Sequence, residues 1–147
     1  MDQKTWRLLK KRPTVYLATA WNDKETIRAA ASAIRTTRSG PVRMRLNARW
    51  VELALSGRQY GDASPKNVDM ARMDLEDLAH SDGVLVIPNR DQGTGHHIEF
   101  GYALAMGKPV VIVGKGWTIF HALCPQVPDL TRAVELLRDK ISVEVEV

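Results

Sequence analysis

The sequence predicts an α/β fold, a single domain whose mostly parallel sheet is covered by helices on both faces. Three observations predict it. Short runs rich in β-forming residues, "TVYLATA", "GVLVIP" and "PVVIVG", punctuate the chain. Between them lie stretches with apolar residues at helical spacing. The second and third runs are continuously apolar, as strands covered on both sides are. Strands alternating with helices imply parallel crossovers.

Thr14 to Ala20 reads as the first strand, following Pro13. Asn22 with Glu25 three residues on has the form of a capping box. Ile27, Ala30, Ala31 and Ile34 then share one helix face, and Gly40 closes the segment. Val42 to Leu46 alternates apolar and basic residues, as a half-exposed strand does. Ser56 to Pro65 is a loop by composition. A helix is expected over 66–80, with Val68, Ala71, Leu75 and Leu78 inward. Gly83 to Pro88 is a buried strand, Gly95 to Met106 a helix stopped by Gly107, and Pro109 to Gly114 another buried strand. Asp129 to Lys140 is a last helix, with Leu130, Val134 and Leu137 inward. The tail "ISVEVEV" alternates, which predicts an edge strand or a strand paired with a neighbouring subunit.

Composition narrows the class. The chain has 147 residues, 44% hydrophobic and 26% charged, which suits one globular domain. Residues 1–12 form a basic arm (Lys4, Arg7, Lys10, Lys11, Arg12) and residues 13–147 the α/β domain. No apolar run approaches the roughly 18 to 20 residues of a membrane span, and the N-terminus lacks a signal-peptide core. A cytoplasmic, membrane-free protein is expected. The single Cys124 excludes a disulfide framework and reads as a packing residue. The net charge of +4 favours anionic ligands mildly. Nucleic-acid binding through the arm and Arg43, Arg45 and Arg49 has only charge to support it.

Ligands of open α/β sheets bind beyond the carboxyl ends of the strands. That rule selects the segments Ala20 to Asn22, Asn89 to Gly95 and Lys115 to Trp117. Trp21, Trp50 and Trp117 follow expected strands and either stack on a nucleobase or cover the ends of the core. Gly93, Thr94 and Gly95 precede a helix N-terminus, where backbone can approach an anion. They match neither the dinucleotide fingerprint nor a P-loop. Thr19, Arg90 and Lys115 are possible phosphate partners. Glu99 sits near that helix start, with Ala103 and Met106 on its stripe, so it faces packed structure or serves the helix dipole. Helix position alone puts Asp74, Glu76 and Asp77 on a solvated face; Asp91 lies in the ligand-side loop, and Tyr16 points from the first strand to the crevice or the core. Two carboxylates flanking one pocket are the minimal apparatus for glycosidic cleavage. His80, His96, His97 and His121 make no metal spacing, so neither metal nor cofactor is expected.

"VYLA", "MDLEDLAHSDGVLVIP" and "DQGTGHHIEFGYALAMGKPVVIVG" together resemble the nucleoside 2-deoxyribosyltransferase-like superfamily. "ARWVE" and "WTIFHAL" resemble its phage and bacterial branch. The resemblance implies a flavodoxin-like (Rossmann-like) fold and cleavage of the N-glycosidic bond of a 2'-deoxynucleoside or its 5'-monophosphate. It implies Glu99 as nucleophile, Tyr16 as the phenol orienting it, and Asp74 and Asp91 near the sugar and leaving base. His97 matches the phage-type branch. No cofactor is implied, the partner is a small-molecule nucleoside or nucleotide, and a homo-oligomer is expected. The C-terminal asparagine of some members has no match, which weakens transfer more than cleavage. A binding or sensing module of the same fold remains the alternative.

Overall fold

The computed structural model describes residues 2–3, 12–57, 67–89 and 93–145. Five strands form the main sheet: β1 (Thr14–Ala18), β4 (Arg45–Leu46), β5 (Gly83–Val86), β6 (Val110–Val113) and β7 (Gln126–Val127). Their spatial order is β4-β1-β5-β6-β7, with every pairing parallel. That is the flavodoxin-like order, and the chain reverses direction of travel across the sheet between β1 and β5. The register there sets Val15 opposite Gly83 and Ala18 opposite Val86. Both strands are almost wholly buried, which is why their sequences are continuously apolar.

Helix α1 (Lys24–Thr36) buries the expected Ile27, Ala30, Ala31 and Ile34. Its cap is Asp23 rather than Asn22. The Asp23 carboxylate accepts from the Thr26 N–H at 3.2 Å and from the Thr26 hydroxyl at 2.7 Å. Asn22 falls instead within a turn closed by the Asp23 N–H on the Ala20 carbonyl. The helix ends before Gly40, because Thr37 turns extended and donates its N–H back to the Ile34 carbonyl. Gly40, at φ 61°, turns a hairpin between β2 (Arg38–Ser39) and β3 (Val42–Arg43). The expected strand over 42–46 is therefore split around the fully buried Met44, and only Arg45–Leu46 joins the main sheet.

Helix α2 (Arg49–Leu55) adds an element to those the spacing predicts, and buries Trp50, Val51 and Ala54. Helix α3 (Val68–Ala79) covers the expected stretch but is rotated from the expected face. Val68 and Ala71 are exposed, Leu75 is half-buried, and Asp77 and Leu78 are buried. The cause is Asp77, whose carboxylate accepts from the Arg49 N–H at 2.9 Å and the Arg49 Nε at 3.0 Å. Helix α4 (Gly95–Ala105) and its stop at Gly107 lie where expected.

Helix α5 (Leu130–Val145) corrects the tail: residues 141–145, expected as part of an edge strand or of a strand paired with a neighbouring subunit, continue the last helix, and residues 146–147 lie outside the described residues. Val134, Leu137 and Ile141 form one helical stripe and are all buried. Gly83 shows what they pack on: a Cβ there would lie 2.8 Å from Ile141 Cδ1 and 2.9 Å from Leu137 Cδ1. Contact with β5 thus outweighs the two-residue alternation, and β7 takes the sheet edge. Among the described residues, no helix is long and apolar enough to cross a membrane.

Candidate active site

A cavity of about 310 Å³ opens at the carboxyl ends of β1 and β5, where the strand order reverses. Thr19, Ala20, Trp21 and Asn22 line it from the segment after β1, and Trp50 from α2. Asp74 comes from α3; Gly93, Thr94, Gly95, His96, Ile98 and Glu99 come from the start of α4 and the residues before it. Of the expected site residues among the described ones, His97, Lys115 and Trp117 do not line this crevice, and Tyr16 lies beneath Glu99. His97 lines a neighbouring apolar cavity with Phe100 and Leu104. Asp91 and Arg90 lie outside the described residues. Lys115 is exposed and is not part of the crevice wall.

Tyr16 occupies the middle of β1 and is fully buried. Its hydroxyl donates to Glu99 Oε1 at 2.8 Å, joining strand to helix across the floor of the crevice. Burial raises the Tyr16 pKa well above its ordinary value, and the Glu99 carboxylate raises it further, so the phenol stays a donor. Burial pushes the Glu99 carboxyl up to about 8; the Tyr16 hydrogen bond opposes that rise, and Asp74 adds to it.

Asp74 is half-buried, and its Oδ1 is sealed from solvent without a hydrogen-bond partner among the described residues. Burial pushes its carboxyl up to about 7, Asp77 adds to the rise, and Arg49 opposes it. Asp74 thus adds to the rise at Glu99, while the rise at Asp74 itself comes from burial and Asp77. Hydrogen bonding favours the charge on Glu99, because only Glu99 receives the phenolic donor. Asp74 comes to the crevice by the rotation of α3 that Asp77 imposes three residues on.

Trp50 is 3% exposed, and its indole N–H donates to the Leu17 carbonyl at 3.0 Å. Trp21 is half-buried and stacks against it, with ring centroids 5.9 Å apart and planes at 29°. Trp50 therefore covers the core end, and Trp21 presents its half-buried ring at the crevice. Lys24 holds Trp21, with Nζ 3.0 Å from its carbonyl and 5.2 Å from its ring centroid. The Thr19 hydroxyl donates to the Ile87 carbonyl at 3.0 Å, tying the segment after β1 to the end of β5. Trp117 lies away from the crevice, edge-on to His97 at 5.0 Å between centroids.

His96, three residues before Glu99, was the more telling of the two adjacent histidines. It is 2% exposed, and its Nε2 accepts from the Asn89 N–H at 3.2 Å. Burial lowers its pKa to about 4, with His97 adding to the drop, so the ring is neutral and carries its proton on Nδ1. The i, i+3 relation to Glu99 was the signal available in the sequence. His121 is fully buried and neutral as well, its Nδ1 accepting from the Trp117 and Thr118 N–H groups. Among the described residues, no group of three or more His, Cys, Asp or Glu side chains could hold a metal ion.

Fold and site together define an α/β protein of flavodoxin-like order with two carboxylates and a phenol at its topological switch point. No family model matches the chain, and no curated protein matches it. Among solved structures, it is similar to a CMP N-glycosidase of Clostridium botulinum, BcmB, with a TM-score of 0.54. The two are 17% identical over 84% of this chain and 97% of that one. The likeness is one of fold.

Proposed function

We propose that this protein cleaves the N-glycosidic bond of a nucleoside or nucleoside 5'-monophosphate, with a 2'-deoxyribose as the expected sugar, through Glu99 as nucleophile. The observation that carries the reading is the Tyr16–Glu99 hydrogen bond of 2.8 Å on the floor of a crevice shared with Asp74. A Glu99 carboxylate oxygen attacks C1' and forms an ester bond as the C1'–N bond breaks. The bond's electron pair leaves with the base, which takes a proton from Asp74, or from Asp91 in the segment before Gly93. Water then opens the ester and releases the free sugar, or a second base takes the sugar in transfer. Tyr16 holds Glu99 in line and favours its charged form. Trp21 offers its ring to the base, and the N-terminus of α4 offers backbone N–H groups to a phosphate. The fold shared with a CMP N-glycosidase supports this reaction class.

The test is incubation with a panel of ribo- and deoxyribonucleosides and their 5'-monophosphates, CMP included, with free base measured by chromatography. Release in the wild type that is lost in Glu99→Gln is the expected result. Tight binding of a nucleotide with no release by the wild type would overturn the proposal in favour of a binding module. Adding a second base distinguishes transfer from hydrolysis.

A further inference from the structure

The β2–β3 hairpin carries a charge pattern that the fold does not use. Arg38 on β2 stands directly opposite Arg43 on β3. The Met44 N–H donates to the Thr37 carbonyl at 2.9 Å, which makes the adjoining pair the hydrogen-bonded one. Arg38 and Arg43 therefore form the kind of pair whose side chains stand closest and whose backbone groups point outward. Two further arginines take up those outward groups. Arg12 Nε donates to the Arg43 carbonyl at 3.0 Å, and Arg138 Nη1 donates to the Arg38 carbonyl at 3.3 Å. Arg45, across the buried Met44 from Arg43, completes a group of five. Arg12, Arg38, Arg43 and Arg45 are exposed. By charge alone Arg49 belongs with them, but Asp77 and Glu76 hold it. Arg45 pairs with Thr14 at the start of β1, so the group sits at the amino ends of the strands, away from the crevice.

Like charges directly opposite each other on a hairpin destabilise it unless a counter-charge covers them. Among the described residues, the one carboxylate in ion-pair reach of the five is Asp139, 3.0 Å from Arg138. Five guanidiniums against one carboxylate equal the whole chain's net charge of +4. We propose that this face binds the phosphate backbone of double-stranded nucleic acid, without reading its sequence. Chemistry selects that partner. A guanidinium fork matches phosphate oxygens, and Arg12 and Arg138 are already held in place by the hairpin carbonyls. One exposed ion pair contributes little, so an array of guanidiniums suits an anion that repeats, as phosphates along a strand do. No exposed large apolar side chain among the described residues belongs to this face. A membrane-inserting surface or the core of a protein interface would carry one. None of the five neighbours on the hairpin is aromatic either, and single strands are held by stacking. A duplex held here lies at the opposite end of the sheet from Glu99, as a tether and not as substrate.

This proposal does not rest on the proposed reaction. Its test is fluorescence anisotropy of the full chain with a labelled DNA duplex of arbitrary sequence in rising NaCl. Saturable binding is expected, with log K falling against log salt at a slope of about −3 to −5. Arg43→Ala and Arg45→Ala should each reduce that slope by about 1. Arg38→Glu should weaken binding at least tenfold with an unchanged circular dichroism spectrum. Arg132→Ala, exposed on the first turn of α5, and Glu99→Gln should bind the duplex as the wild type does. Should the hairpin variants misfold, hydrogen exchange of the wild type decides: duplex must raise protection over 37–46 and leave 93–99 unchanged. Absence of saturable binding overturns the proposal, as does binding that the folded arginine variants leave intact. So does displacement of the duplex by CMP at matched ionic strength, or tighter binding to a single strand or to phosphatidylserine vesicles.

Discussion

Asp74 and Asp77 stand one turn apart on α3, and their surroundings are opposites. Asp77 is 5% exposed and saturated: the Arg49 N–H, Nε and Nη2 all reach its carboxylate, the last at 2.8 Å. Asn47 and Ser81 bind its carbonyl at 2.9 and 2.7 Å. Asp74 reaches the crevice with Oδ1 sealed and without a partner among the described residues. Buried polar groups in proteins are nearly always paired, and a satisfied network serves to hold the fold. An unsatisfied carboxyl destabilises the fold unless a ligand or a proton completes it. The difference teaches which acid keeps α3 in place and which one is left with an open acceptor at the crevice.

The comparison is broken or sharpened by substitutions. Asp74→Asn should cut base release by about 10²-fold or more, the scale of losing a general acid, with little change in melting temperature. Equal activity in the variant would make Asp91 the proton donor. Tyr16→Phe should follow with a loss of about 10-fold, the effect of one charge-assisted hydrogen bond worth roughly 1.5 kcal/mol. The pH–rate profile of that variant should shift to higher pH, because the group opposing the rise at Glu99 is gone. Asp77→Asn should do the reverse of Asp74→Asn. It should cost about 1–3 kcal/mol of stability in denaturant titration, with a modest change in rate. It should also move the Asp74 ionisation downward, since Asp77 contributes to its rise.

A separate effect is the pH dependence of stability. Glu99 and Asp74 have folded pKa values raised to about 8 and about 7. A raised carboxyl pKa means that the native state binds more protons than the unfolded state. Their contribution is therefore fully present below the ordinary carboxylate range and is lost as pH rises from there to about 8. Glu99→Gln should flatten that decline, as melting temperatures across pH 4 to 9 will show. For the reaction Glu99 must be charged and Asp74 protonated, the opposite of the order in which burial sets them at about 8 and about 7. The productive form is therefore a minor one in the free protein, and the bell-shaped rate profile should peak between about pH 7 and 8.

Much of this was legible in the sequence. The buried strands β1, β5 and β6 were legible because both their faces are covered, which leaves an apolar run with little ambiguity. Helix α4 was legible from its glycine stop, and Glu99 from its place near the helix start. Other features depended on distant partners. The alternation of "ISVEVEV" is a sound local signal for a strand, yet Ile141 is spent on Gly83 in a helix. The apolar spacing of α3 pointed to Ala71 and Val68, while a guanidinium from α2 turned the helix and drew Asp77 inward. His96 and His97 are neighbours in sequence with the same chemistry, and only the helix orientation sends one to the crevice and the other to the apolar cavity.

By itself, then, the sequence determined the fold class, the order along the chain of its main strands and helices, and a carboxylate, Glu99, near a helix start on a stripe that faces packed structure. These follow from short-range rules: apolar runs, helical period, caps and stops. Tertiary structure alone decided that Tyr16 and Glu99, 83 residues apart, meet at 2.8 Å, and that Asp74 turns inward to face them. The physical reason is that sheet order and helix rotation come from contacts between distant segments. Those contacts determine which of several equivalent side chains lose their water, and so which carboxyls change their proton affinity.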